Sequence, residues 1–209
     1  MADEFYLKLF HATLDYFTVP DLSKSRDATD FGRGFYTTMN IDQAIDWGRK
    51  RGHGKENFTV NAYHYFPSPE LRIKSFSEPD EEWLETVYKC RSLKEKLDFD
   101  VVIGPVADDA VLPALREYFM PRETAKNPKQ VEHLRLKAIE KLKISNSFDQ
   151  FAFITETGLS HLKFYNHWRF SPDGKTIGRT GPYQTWKDGV PPDRRKEAEN
   201  RRDTGGLSR

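Results

Sequence analysis

DFGRGFYTTMNIDQAIDWG, residues 30–48, is the stretch of sequence that decides the fold. Its two glycines, Gly32 and Gly34, permit a tight turn, and the β-favouring residues Phe35–Thr38 that follow predict a short strand. Asn40 is a suitable N-cap for a helix over residues 41–50, because its side-chain oxygen can accept from the first free backbone amides. The stretch therefore predicts a turn, a strand and a helix in immediate succession.

The rest of the chain predicts a mixture of strands and helices typical of the α+β class. Apolar and alternating runs predict strands over 5–10, 58–66, 99–106 and 151–155, and helical spacing predicts helices over 77–90, 108–118 and 128–142. Residues 158–164 predict a short helix or turn that leads into a final strand. After about Trp168 the apolar pattern ends, so we expect a domain over 1–170 and a polar tail over 171–209, disordered or docked by a few aromatic residues.

The composition is that of a globular protein without a dedicated polyanion surface. Four Trp, nine Tyr and fifteen Phe supply a core, and the net charge of the 209 residues is only +1. Cys90 is the single cysteine, so an internal disulfide is excluded, and no Cys/His spacing of a zinc site occurs, so we expect no metal. We see no signal peptide and no membrane-spanning run, which predicts a cytoplasmic or nuclear location and no membrane partner.

Taken one at a time, the candidate functional residues have simple structural interpretations. A histidine at a strand end, such as His11, is more often structural than functional, and the paired glycines fit an ordinary turn. The GxG spacing lacks the third glycine of a dinucleotide-binding turn, and the chain has no phosphate-loop motif. Tyr36 and Trp47, considered alone, are typical core aromatics.

In combination, three separated motifs resemble the His-Tyr class of the ADP-ribosyltransferase superfamily, which includes the poly(ADP-ribose) polymerases and diphtheria toxin. Residues 31–34, Phe-Gly-Arg-Gly, resemble the family's turn; Tyr36 falls on its strand tyrosine, and Trp47 on the aromatic residue eleven positions later. Upstream, LFHAT resembles the first motif, with His11 at the histidine. Downstream, DQFAFIT resembles the strand of the catalytic glutamate, with Gln150 at that position.

A narrower resemblance covers residues 5–165 and points to an uncharacterised family of the same clan. The motifs LFHAT, DFGRGFYTT, QAIDWG, VVIGPVADD and DQFAFIT carry it. Some members of that family are encoded beside small antitoxin-like genes, which implies a small inhibitory protein as a possible partner.

The resemblance implies a fold and an activity. The fold would have two small, facing, mostly antiparallel sheets with flanking helices around an NAD cleft, on which His11, Tyr36 and Gln150 converge. The activity would be mono-ADP-ribosyl transfer: NAD is the co-substrate, its nicotinamide–ribose bond is cleaved, and ADP-ribose passes to a protein or nucleic acid. Hydrolysis of NAD at the same site, and a degenerate module that only binds NAD or ADP-ribose, are the alternatives.

The resemblance also assigns roles to individual residues. The imidazole of His11 would bind a ribose hydroxyl and fix the adenosine half of NAD, and the aromatic side chains of Tyr36 and Trp47 would stack on nicotinamide. Arg33 would meet the pyrophosphate. Gln150 would bind the reacting ribose. The expected catalytic residues are His11, Tyr36 and Gln150, and the expected NAD-binding residues are His11, Ala12, Thr13, Gly32, Arg33, Gly34, Tyr36 and Trp47.

Three positions depart from the family pattern. Ala12 replaces a glycine whose backbone grips the nicotinamide carboxamide, and any residue except proline offers those backbone groups. Ala44 replaces a serine, and its missing hydroxyl would have to come from Thr13 or Thr38. Gln150 replaces the glutamate, so it keeps a hydrogen bond but supplies no charge, which predicts a slower enzyme or one whose acceptor brings its own negative charge or base.

Overall fold

The computed structural model describes residues 5–107, 119, 127–143 and 149–179. Its strands are β1 (Leu7–Thr13), β2 (Phe35–Thr38), β3 (Phe58–Tyr65), β4 (Ile73–Ser75), β5 (Val101–Pro105), β6 (Asp149–Phe153), β7 (Leu162–Phe170) and β8 (Thr176–Arg179). Its helices are α1 (Ile41–Arg51), α2 (Glu81–Leu93), α3 (Pro128–Lys143) and α4 (Glu156–Ser160), with a 3-10 helix at Leu22–Lys24. The predicted α+β class is confirmed. The helix predicted over 108–118 lies outside the described residues.

The described strands form one hydrogen-bonded sheet, so the prediction of two separate sheets is wrong. The strand order is β4-β5-β6-β2-β1-β3-β7-β8, and only the β4–β5 pair is parallel. The two four-stranded halves meet where β2 lies beside β1, and a single residue pair, Phe10 with Thr38, joins them. By contrast, β1 pairs with β3 along its whole length, from Leu7 to Thr13.

The two halves of the sheet pack against each other through their aromatic side chains. The rings of Tyr65 on β3 and Phe153 on β6 have centroids 5.1 Å apart, although β1 and β2 lie between these strands. Three strand spacings in a flat sheet would separate them by roughly 14 Å. The sheet therefore folds over at the β1–β2 junction, and its inner face encloses a core that also contains Leu9, Phe35 and Phe151.

The two long helices of the N-terminal part cover opposite ends of this folded sheet. α1 begins after the Asn40 cap, as the sequence predicts, and buries Ile41 and Ala44 against β1, β3 and β7. α2 begins after Asp80 rather than at Ser77, because the Asp80 carboxylate caps the helix by accepting from the Trp83 amide. Its buried residues, including Trp83, Leu84 and Val87, pack on the half that contains β5 and β6.

The element boundaries differ from the predicted ones at both ends of the domain. β1 runs to Thr13, so His11 lies inside the strand and not at its end. β8 lies beyond the expected domain boundary at residue 170, because it pairs with β7 from Trp168 to Phe170. The described part of the fold therefore includes β8 through Arg179, and the remainder of the predicted tail lies outside the described residues. Across the described ranges, none of the helices has the length and apolar character needed to cross a membrane.

Candidate functional site

Three neighbouring strands carry the three residues that the sequence singles out as catalytic. His11 lies on β1, Tyr36 on β2 and Gln150 on β6, and these strands are consecutive in the sheet. Gln150 lies opposite Thr38 in the β2–β6 ladder, and Thr38 is the residue that pairs with Phe10, the neighbour of His11. The fold thus brings together positions that are up to 139 residues apart in the sequence.

His11 bridges β1 and β2 at the point where their backbone pairing ends. Its Nδ1 lies 2.6 Å from the carbonyl oxygen of Tyr36. A carbonyl can only accept, so Nδ1 carries the proton and donates, which leaves Nε2 as an acceptor. Burial lowers the pKa of His11 to about 4, with a smaller contribution from the positive charge of Arg51, and the imidazole is therefore neutral at physiological pH. The ring of Phe35 lies beside it, at a centroid distance of 4.3 Å.

Tyr36 is held under the loop that precedes β2. Its hydroxyl donates to the carbonyl oxygen of Gly32 at 2.7 Å and accepts from the amide of Phe31 at 2.9 Å. Burial of the phenol raises the pKa of Tyr36 far above its usual range, so the hydroxyl stays protonated. Residues 29–34, which we call the cover loop, thus close over the tyrosine in this structure.

The glycine pair of the cover loop has a structural requirement at each position. Gly32 has φ +78°, a conformation that side chains with a Cβ rarely adopt. A Cβ at Gly34 would lie 2.9 Å from the carbonyl oxygen of Phe153, so a glycine lets β2 approach β6 closely. Arg33, between them, is exposed and donates to the carbonyl oxygen of Ser25 while it pairs with Asp27 at 3.1 Å. To bind a pyrophosphate, Arg33 would have to exchange these partners.

Gln150 belongs to a buried polar cluster that the sequence analysis missed. Its Nε2 donates to Oδ2 of Asp30 at 2.5 Å and, more weakly, to the carbonyl oxygen of Pro105 at 3.3 Å. Asp30 in turn accepts from the guanidinium of Arg91 and from the amide of Ala107. Asp30 directly precedes the Phe-Gly-Arg-Gly turn in the sequence. Aspartate is common beside glycine turns, so its presence there did not indicate a functional role.

The side chains of His11 and Gln150 project from opposite faces of the sheet. Paired residues share a face and successive residues alternate, so Phe10, Thr38 and Gln150 point one way and His11 points the other. Tyr36 is on the face of Gln150. The prediction that all three side chains converge directly is therefore wrong for His11, which reaches the other two through the backbone of β2.

The remaining predicted site residues serve mainly to pack the fold. Trp47 contacts the cluster beneath α1, whereas Tyr36 packs in the cluster beneath α2, so the two aromatic side chains do not form one stacking pocket here. Ala44 is fully buried on the inner face of α1, and Ala12 is buried in the same cluster. The Thr13 hydroxyl accepts from the amide of Asp15.

The candidate residues of this site can bind a ligand through hydrogen bonds from neutral side chains. The His11 imidazole presents an acceptor nitrogen, and Gln150 presents an amide that Asp30 holds in place. Among the residues with described side chains, no group of three or more His, Cys, Asp or Glu could hold a metal ion. Such a set can orient a polyhydroxy substrate without a strong acid or base.

Comparison with known proteins identifies one family. A family model described as "Protein of unknown function (DUF3990)" matches residues 7–164. No curated protein and no solved structure matches the chain. The match spans β1 to the first residues of β7, and so contains His11, Tyr36 and Gln150.

Proposed function

Since the chain belongs to the DUF3990 family, we propose an activity from its own residues: NAD-dependent mono-ADP-ribosyl transfer to a protein or nucleic acid. The observation that carries the proposal is the placement of His11, Tyr36 and Gln150 on three consecutive strands, with the imidazole of His11 bonded to the backbone of Tyr36. These are the positions at which the sequence resembles the His-Tyr ADP-ribosyltransferases.

Cleavage of the nicotinamide–ribose bond requires hydrogen-bonding groups of the kind that this site contains. Nicotinamide leaves NAD as a neutral molecule, so its departure needs no proton from the enzyme. The enzyme has to orient the ribose and stabilise its developing positive charge. Oε1 of Gln150 is an acceptor for a hydroxyl of the reacting ribose, and Nε2 of His11, on the other face of the sheet, is an acceptor for a hydroxyl of the second ribose of NAD.

The proposal locates NAD at the junction of β1 and β2, with the reacting ribose on the face of Gln150 and the ribose of the adenosine half at His11 on the other face. β1 and β2 pair only at Phe10 and Thr38. His11 follows Phe10 in β1, and Gln150 pairs with Thr38 across the β2–β6 ladder. Because the Tyr36 hydroxyl is bonded to Phe31 and Gly32, NAD has to displace residues 31–34 of the cover loop to reach the tyrosine ring, while Asp30 keeps its bonds to Arg91 and Ala107. Loops that open to admit a substrate and then close over it, so that water is excluded, are common at such sites.

The test is to incubate the full chain with NAD labelled in its adenylate, with and without cell lysate, and to measure nicotinamide release and label transfer. His11→Ala should lower nicotinamide release at least tenfold, since it removes a ribose ligand. His161→Ala is the matched control, because Nδ1 of His161 also bonds a backbone carbonyl, that of Phe66, at 2.9 Å, and lies outside the site.

Each outcome separates the proposal from its alternatives. Label in macromolecules supports transfer, whereas label found only as free ADP-ribose indicates an NAD glycohydrolase. NAD binding without nicotinamide release, in lysate and in buffer, indicates a module that only binds. Equal effects of His11→Ala and His161→Ala would remove His11 from the mechanism.

A further inference from the structure

Asp30 and Gln150 form a buried pair that joins the cover loop to β6. They are 120 residues apart in sequence, and Nε2 of Gln150 lies 2.5 Å from Oδ2 of Asp30. Both residues are almost fully buried, at 5% and 3% exposure. A hydrogen bond that spans this separation at this depth fixes the position of both side chains.

The partners of Gln150 also fix which way its amide faces. An amide nitrogen has two N–H donors, and here one meets a carboxylate and the other the carbonyl oxygen of Pro105. Both of these groups can only accept. The flipped amide would set its own oxygen against them, with repulsion and two unsatisfied acceptors. Oε1 is therefore the atom that the amide keeps for another group.

The charge of Asp30 is compensated on its other side. Arg91 donates to Oδ1 from Nε at 2.7 Å and also bonds the carbonyl oxygen of Ala107, while the amide of Ala107 donates to Oδ2 at 2.8 Å. A hydrogen bond to a carboxylate polarises the amide and increases the negative partial charge on its oxygen. Gln150 then presents a stronger acceptor than an isolated glutamine would.

We propose that Asp30 is a positioning residue that holds Gln150 with Oε1 available for the reacting ribose hydroxyl, so that the Asp30–Gln150 pair takes the place of a single carboxylate. This rests on the proposed function. It gives Gln150 a definite role: the acceptor comes from the amide, and the negative charge lies one hydrogen bond behind it.

Exchanging the carboxylate and the amide between positions 30 and 150 tests the pair. Asp30→Asn should lower the kcat of nicotinamide release about tenfold with NAD affinity within about twofold, because a neutral side chain in place of the carboxylate no longer orients the amide. Gln150→Glu places two carboxylates in hydrogen-bond contact, and its activity should fall further as the pH rises. Asp30→Asn with Gln150→Glu restores one amide and one carboxylate, and should recover activity relative to either single variant.

Asp100→Asn is the matched structural control. Asp100 is also 5% exposed and is paired with an arginine, Arg72, but it contacts Thr155 and not Gln150. At equal loss of melting temperature, Asp100→Asn should keep kcat within about twofold of the wild type. If Asp30→Asn is no slower than Asp100→Asn, or if the double variant is no faster than Gln150→Glu, the role of Asp30 is overturned.

A measurement without NAD separates this inference from the proposed function. In the full chain, the side-chain NH₂ of Gln150 should give a downfield, exchange-protected NMR signal that Asp30→Asn abolishes and Asp100→Asn preserves. Absence of that signal with nicotinamide release intact refutes the role of Asp30 alone. The signal without nicotinamide release in any wild-type assay refutes the proposed function, and with it the catalytic part of the inference.

Discussion

Replacement of His11 by glutamine should reduce the loss of unfolding free energy that the protein shows as the pH falls. Glutamine keeps a donor for the carbonyl oxygen of Tyr36 but has no titrating ring. In the wild type, burial lowers the pKa of His11 from 6.5 to about 4, so below pH 6.5 the unfolded chain binds a proton that the folded chain refuses. The contribution of His11 is therefore complete above pH 6.5 and is lost as the pH falls towards 4.

The size of this effect follows from the two pKa values. At pH 4.5 the proton favours the unfolded chain by roughly 2–3 kcal/mol. The assay is urea unfolding, followed by tryptophan fluorescence, at pH 7.5 and 4.5 for the wild type and His11→Gln. Titrating carboxylates contribute equally to both proteins, so the difference between their pH dependences isolates His11.

The expected result is that the unfolding free energy of the wild type falls by roughly 2–3 kcal/mol more than that of His11→Gln between these two pH values. A direct NMR titration of the imidazole should give a midpoint near pH 4, in agreement with the unfolding data. Equal pH dependences for the two proteins would refute the lowered pKa of His11, and with it the argument that the buried imidazole stays neutral down to pH 4.5.

Three other changes have definite expected outcomes. Gln150→Ala should reduce nicotinamide release by roughly ten- to a hundredfold with little loss of NAD affinity, as measured by titration calorimetry; equal rates would exclude it from the mechanism. Gly34→Ala should destabilise the fold by roughly 1–3 kcal/mol, because its Cβ would lie 2.9 Å from the carbonyl oxygen of Phe153. Gly178→Ala is the control: its Cβ would have its nearest neighbour 3.9 Å away, so the melting temperature should stay nearly unchanged. Similar losses of melting temperature in the two variants would contradict the packing argument. Removal of residues 180–209, which lack apolar periodicity, should preserve NAD binding, whereas a cut that also removes β8 should lower the melting temperature; loss of NAD binding in the shorter truncation would show that these residues belong to the site.

Local patterns predicted the elements around the candidate site well. The turn at Gly32, the strand Phe35–Thr38 and the helix that Asn40 caps are where the sequence places them, because each depends on a few adjacent residues. The ends of β1 were less predictable, since pairing with β3 extends the strand through His11 to Thr13. β8 was missed for the same reason: its formation depends on a neighbouring strand rather than on its own composition.

Some residues of the candidate site could be proposed from the sequence, and others became apparent only in the structure. The resemblance to the His-Tyr ADP-ribosyltransferases singled out His11, Tyr36 and Gln150 as candidates, and the fold sets them on consecutive strands. Motif spacing gave no hint of Asp30 or Arg91, because the contacts that make them part of the site cross 120 and 61 residues of chain.

The sequence by itself determined the α+β class, the turn-strand-helix unit of residues 30–48 and the residue types from which a function can be proposed. Only the tertiary structure decided that the strands form one folded sheet, that His11 and Gln150 lie on opposite faces of it, and that a carboxylate orients the Gln150 amide. The physical reason is that capping and turn preferences act over a few residues, whereas strand order, facing and buried hydrogen bonds depend on groups that become neighbours only when distant segments pair.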